Sequence, residues 1–170
     1  MDPVLRAATV DDVEALRTVE AAAGAAFRTL GMDLVADDEP PPAAVLAAEV
    51  ARGPAWVFTV DGRVVAYLLG DVVDGCAHVH QVSVHPDHAG RRHGAALVER
   101  LVAWAGDRGL PAVTLTTYRD VPWNGPYYRR LGFRWLADHE VTPGLRRLRA
   151  AEAAAGLDAW PRGCMRRDLG

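Results

Sequence analysis

The chain has 170 residues, 50% of them hydrophobic and 24% charged, with a formal net charge of −3. That is the profile of one soluble globular domain able to bury its own core, and it offers no basic surface for nucleic acid. Cys76 and Cys164 lie far apart in sequence without metal-ligand spacing, and no cationic leader or apolar run of ~20 residues is present. Reduced thiols, no disulfide, no membrane contact and a cytoplasmic location are the expectations.

In chain order, Pro3 to Ala8 reads as a short strand and Thr9 as a helix N-cap, with Asp12 three residues on. Val13, Leu16, Val19 or Glu20, Ala23 and Phe27 give that helix one apolar face, and Gly31 stops it. Between Gly31 and Pro42, the acids Asp33, Asp37, Asp38 and Glu39 and three consecutive prolines predict a loop, whose charge would draw in a cationic acceptor if it lies beside a site. A helix over 43–52 ends at Gly53-Pro54. Trp56 to Val60 and Arg63 to Asp71 are predicted strands joined through Asp61-Gly62, a hairpin signal. A further turn near Asp74-Gly75 leads into the next strand.

That strand, over 77–84, carries His78-Val79-His80-Gln81-Val82-Ser83-Val84. Simple alternation places His78, His80, Val82 and Val84 on one face and Val79, Gln81, Ser83 and His85 on the other. After Pro86 comes a turn, Ala89-Gly90-Arg91-Arg92-His93-Gly94-Ala95, and then a helix whose Leu97, Val98, Leu101, Val102 and Ala105 recur at three- and four-residue spacing. Free N–H groups at such a helix start, with the helix dipole and two arginines, make a seat for a phosphorylated ligand. A phosphate-binding loop of the nucleotide enzymes is excluded, since Gly94 is followed by Ala95-Ala96 and not by Lys-Ser or Lys-Thr. His-x-His is also a zinc-ligand spacing, but no third ligand is indicated and no metal is expected.

Gly109 closes the helix, and Ala112 to Tyr118 alternates as a strand. A strand, a helix and a second strand predict a parallel pair, with the rest of the sheet mostly antiparallel. Gly125, Pro126 and Gly132 delimit a short helix, with Gly125 as its N-cap, carrying Tyr127-Tyr128. Phe133 to His139 is read as a strand, Thr142-Pro143 opens a helix ended by Gly156, and Cys164 to Leu169 is the last strand.

Two stretches carry a resemblance. Val82 to Pro86 with Ala89 to Gly94 is similar to the acetyl-CoA motif of the GNAT superfamily of N-acetyltransferases, V-x-V-x-P followed by R/Q-x-x-G-x-G/A; Ala89 stands at its first position and Arg92 at its central Gly. Tyr128 to Phe133 resembles the family's Y-x-x-x-G-F, with Asn124 upstream, and His78 and His80 resemble the paired-histidine strand of the arylalkylamine N-acetyltransferases. The resemblance implies one α/β domain (α+β in layer terms), a mixed, mostly antiparallel sheet of about seven strands flanked by helices, and a splayed parallel strand pair at the cofactor site. It implies acetyl-CoA as co-substrate, held by Val82, Ser83, Val84, Ala89, Gly90, Arg91, Arg92, His93, Gly94, Ala95 and Asn124, and allows a homodimer.

Acetyl transfer to an amine needs a base, because an alkylammonium with pKa near ~10 must lose a proton before it attacks. His78 and His80, directly or through a water, are the candidate bases. The family analogy makes Tyr128 the acid that protonates the leaving thiolate, and a backbone N–H near Val84 the donor to the thioester carbonyl. The expected function is acetylation of a small-molecule amine by direct transfer. A protein or peptide N-acetyltransferase and a non-catalytic acyl-CoA sensor are the alternatives.

Overall fold

The computed structural model describes residues 2–170. Its strands are β1 Val4–Ala7, β2 Ala55–Val60, β3 Arg63–Val73, β4 Cys76–Val84, β5 Ala112–Tyr118, β6 Arg134–Trp135 and β7 Arg162–Asp168. They form one seven-stranded sheet in the order β1-β2-β3-β4-β5-β7-β6. The β1–β2, β2–β3, β5–β7 and β6–β7 pairs are antiparallel. As expected from the helix between them, β4 and β5 are parallel, with Ala77 opposite Val113 and His78 opposite Thr114. The helices are α1 Val13–Gly24, α2 Asp33–Ala36, α3 Ala43–Arg52, α4 His93–Asp107, α5 Gly125–Arg130 and α6 Pro143–Ala154. None of the described helices is long and apolar enough to cross a membrane.

The chain divides into two compact units, one of residues up to Gly70 with His80–Arg100, the other of Asp71–Val79 with Leu101–Gly170. In the first, Val13, Leu16 and Val19 of α1 and Leu46 and Val50 of α3 pack on Ala55 and Val57 of β2 and Tyr67 and Leu69 of β3. The strand residues follow the two-residue period and the helical ones the three- and four-residue period, so both patterns aim at one core. At the hairpin, Asp61 and Gly62 both have positive φ, 52° and 75°. That pair of conformations is the type I′ turn that Asp-Gly favours.

In the second unit β5 pairs with β7 from Ala112↔Asp168 to Tyr118↔Arg162. Glu152 of α6 ties this ladder together, accepting from Thr116 Oγ1 at 2.5 Å, from Arg149 at 2.9 Å and from Arg162 at 3.2 Å. Leu145 of α6 packs with Leu136 and Cys164. Both cysteines are free and buried.

Several expectations change: the first helix ends at Gly24 and tightens into a 3-10 stretch over Ala25–Leu30 before Gly31, and the last strand spans Arg162–Asp168 rather than 164–169. The 31–42 segment is not wholly a loop, because Asp33–Ala36 forms one helical turn ahead of the prolines, whose restrictions begin only at the residue before Pro40. The strand expected over 133–139 shrinks to Arg134–Trp135, and Asp138–Glu140 closes into a 3-10 turn in which Glu140 Oε1 accepts the Ala137 N–H at 3.0 Å. The N-cap of α5 is Asn124 and not Gly125, since the Asn124 carbonyl accepts the Tyr128 N–H at 2.9 Å.

Candidate functional site

Within the first unit, β4 ends at Val84 and the chain passes through the 3-10 turn Pro86–His88 into the glycine-arginine turn. Gly90 has φ 76°, and a Cβ there would meet nothing within 4 Å. Arg92, at the position where the resembling motif has glycine, also has positive φ, 64°. A left-handed conformation costs a non-glycine residue ~1–2 kcal/mol, so the turn keeps its path even with the wrong residue for it. The Arg92 carbonyl accepts the Ala96 N–H at 3.0 Å and so begins α4. The N–H groups of His93, Gly94 and Ala95 then belong to the first helical turn, which has no intrahelical acceptors. Arg91 and Arg92 are exposed beside this turn, while His93 is buried and stacks on Phe58 at 4.2 Å. Burial, with the nearby His88 and Arg91, lowers the His93 pKa and keeps its ring neutral. An open glycine corner, a helix N-terminus and two exposed guanidiniums fit a pyrophosphate.

Further up β4 in the same unit stands His80. Its Nε2 lies 3.1 Å from Glu49 Oε1 on α3, with the imidazole 41% exposed and the carboxylate 15% exposed. Three residues on, Ser83 is buried; it bonds to the Gln81 amide at 2.9 Å and acts on the hydroxyl of Tyr67 in the α1–α3 core. Strict alternation would send His80 and Ser83 to opposite faces. Both reach groups on the α1–α3 side, so the even spacing read from the sequence does not hold through this part of β4. Glu49, Glu20 and Tyr67 are the residues that sequence reasoning missed. A signal was present, since Glu20 shares the apolar stripe of α1 and Glu49 falls one position from Val50 and three from Leu46 on α3.

In the second unit His78 is buried, with Nδ1 2.8 Å from Thr114 Oγ1 across the parallel pair. Tyr128 of α5 is buried too, against Phe133 at 5.9 Å and Tyr127 at 5.4 Å between ring centroids. Burial raises its phenol pKa well above the ordinary value, with Tyr127 adding to the shift, so the hydroxyl keeps its proton. Asn124 Nδ2 donates to the Trp123 carbonyl at 3.1 Å, and its Oδ1 is buried without a hydrogen-bond partner. Gly125 is required by close packing, because a Cβ there would stand 2.6 Å from the Trp135 ring and 2.7 Å from the Arg119 carbonyl. Among the described residues, no three histidine, cysteine or acidic side chains are grouped to hold a metal ion.

Comparison with solved structures gives the same fold repeatedly. The PaiA N-acetyltransferase of Thermoplasma acidophilum, in complex with coenzyme A, has a TM-score of 0.76 at 14% identity over 99% of this chain and 100% of that one. The ribosomal-protein-S18-alanine N-acetyltransferase of Escherichia coli gives 0.70 at 18% identity over 99% and 95%. A GNAT family acetyltransferase of Brucella melitensis, in complex with acetyl-CoA, gives 0.58 at 22% identity over 78% and 83%. The narrower likeness to the arylalkylamine enzymes is not among what these comparisons show. Residues 20–133, well over half of the chain, match the acetyltransferase (GNAT) family, and the protein belongs to that family.

Proposed function

We propose that this protein moves an acetyl group from acetyl-CoA directly to the amine of a small-molecule acceptor. The observation that carries the reading is the His80–Glu49 pair, 3.1 Å apart on the strand that feeds the glycine-arginine turn. Acetyl-CoA supplies an activated thioester, and Gly90 to Gly94 with Arg91 and Arg92 hold its pyrophosphate. Among the named neighbours are structures with coenzyme A or acetyl-CoA bound, which supports this assignment.

Glu49 fixes the His80 ring through Nε2, which leaves Nδ1 to take the proton of the incoming ammonium. The freed amine nitrogen forms a C–N bond to the acetyl carbon as the C–S bond breaks and the electron pair leaves with sulfur. On the family resemblance, Tyr128 is assigned the hydrogen bond to the developing thiolate, and a backbone N–H near Val84 steadies the carbonyl oxygen. The phenol is a weaker acid than a thiol of pKa ~8.5, so Tyr128 acts by hydrogen bonding and water supplies the final proton. The base-bound proton returns to solvent through the exposed edge of His80. In this reading His78 braces the β4–β5 pair and the base is His80.

The test is thiol release from acetyl-CoA with a panel of small amines and an N-terminal peptide. The chain has no lysine, all 19 of its permanently cationic side chains being arginine, so lysine self-acetylation adds no background. Small amines are expected to release thiol, with loss of turnover in His80→Gln and intact acetyl-CoA binding. Turnover on the peptide alone identifies a protein acetyltransferase, and binding without turnover identifies a sensor.

A further inference from the structure

The first unit contains a group of acids that the transfer reading leaves mostly unused. Tyr67 is 0% exposed, and its hydroxyl stands within hydrogen-bonding reach of Ser83 and Glu20 without full hydrogen-bond geometry to either. Around this hydroxyl stand Glu20 of α1 and Glu49 of α3, each with Oε2 buried and unpartnered. The exposed Asp38 adds a third carboxylate whose charge is felt at Glu20. The cations that face the group are few. Arg17 acts on Glu20, but its Nε donates to the Pro41 carbonyl at 3.1 Å and its Nη1 lies 3.8 Å from Glu14. His80 is engaged with Glu49 Oε1, which leaves Glu49 Oε2 and Glu20 to find a cation elsewhere. Burial above all, with Asp38 and Glu49 adding, raises the Glu20 pKa, and burial likewise raises that of Tyr67 well above the ordinary value.

Buried polar groups without partners are costly, and here two carboxylate oxygens and one phenol converge from three separate elements. A desolvated ammonium is the group that would satisfy them together: it donates to both kinds of oxygen and neutralises the carboxylate it approaches. Resting on the amine-acetylation reading above, we propose that Glu20 and Tyr67, with Asp38 beside them, seat a second cationic nitrogen of the acceptor, and that the acceptor is a small aliphatic diamine. One nitrogen meets His80 and Glu49, where it loses its proton and is acetylated. The other stays charged at Glu20 and the Tyr67 hydroxyl, whose neutral oxygen accepts from it.

The probes are 1,4-diaminobutane and n-butylamine, which differ only by the second amine. Calorimetry on the protein saturated with unacetylated coenzyme A reads binding alone, and thiol release from acetyl-CoA reads transfer. The diamine is expected to bind about tenfold or more tighter than the monoamine, as a charge-assisted contact implies. Glu20→Gln is expected to bring that ratio near one, and Tyr67→Phe to reduce it. Both substitutions keep the outline of the side chain, and thermal unfolding checks that the variants remain folded. Equal affinities in the parent protein, or a preference that survives both substitutions, would overturn the diamine assignment. Diamine preference in binding with no thiol release from any amine sustains this seat and sinks the transfer reading instead. Thiol release at equal kcat/KM for the two amines does the reverse.

Discussion

His78 and His80 stand two residues apart on one strand, and their surroundings could hardly differ more. His78 is buried and bonded to a neutral hydroxyl on the next strand, Thr114. His80 is part exposed and bonded to a carboxylate on a helix, Glu49. The hydroxyl ties the ring to the neighbouring strand of the parallel pair. A carboxylate on a helix fixes the orientation of the ring. The two partners give like residues different settings, one ring bridging two strands and the other held beside a helix carboxylate at the surface.

The largest expected effect breaks that comparison if it is wrong. His80→Gln should lower turnover ~10²- to 10⁴-fold, the usual range for a lost general base, while acetyl-CoA affinity stays nearly the same. His78→Leu should instead show up as stability, with a loss of ~0.5–1.5 kcal/mol in denaturant unfolding, because the buried Thr114 hydroxyl loses its ring partner and keeps only its 3.5 Å bond to the Ala77 carbonyl. Equal losses of turnover from conservative changes at both histidines would mean that they share the base role after all.

Next in size is the cofactor turn. Reversing the charge of Arg91 and Arg92 together should weaken acetyl-CoA binding by ~1–3 kcal/mol, read by calorimetry with stability measured alongside. Unchanged affinity would remove the pyrophosphate from this turn. A smaller effect is expected at Tyr128, where phenylalanine keeps the packing against Phe133 and Tyr127 and loses only the hydroxyl. Its turnover should fall by about tenfold, the worth of one hydrogen bond to a charged group, at unchanged cofactor affinity. A Tyr128→Phe protein with full kcat would leave the ring as a packing group, like its neighbour Tyr127.

Much of this was legible from local chemistry. The Asp61-Gly62 and Asp74-Gly75 turns, the 43–52 helix and the parallel pair all rest on signals contained within a few residues, so the chain sequence carries them directly. The Glu49 partner of His80 was not legible, because 31 positions of chain separate them and only the packing of α3 brings them together. Glu20 shows the same gap from the other side. Its place on the apolar stripe of α1 was readable, but a buried acid at such a place has no meaning until Tyr67 is seen beneath it. The two-residue period also misled where β4 departs from it between His80 and Ser83. Periodicity describes a regular strand, and functional strands depart from regularity where they have to aim side chains.

The smallest expected effect concerns Arg92 and separates two roles within one turn. At φ 64° its backbone bears a left-handed strain that glycine would not. Arg92→Gly relieves that strain and gives back part of the gain through the greater freedom of glycine in the unfolded chain. The net should be a rise in stability of a few tenths to about 1 kcal/mol, visible as a higher denaturant midpoint at unchanged m-value. Arg91 does not have positive φ, so Arg91→Gly should lower stability, and the pair of measurements turns on the sign alone. Acetyl-CoA affinity supplies the second reading. If the Arg92 guanidinium grips the pyrophosphate, the stabilised Arg92→Gly protein binds acetyl-CoA more weakly than the parent, and stability and binding move in opposite directions. A variant that gains stability and loses no affinity would show that the arginine merely occupies a glycine position, and that Arg91 and the α4 N-terminus hold the phosphates without it.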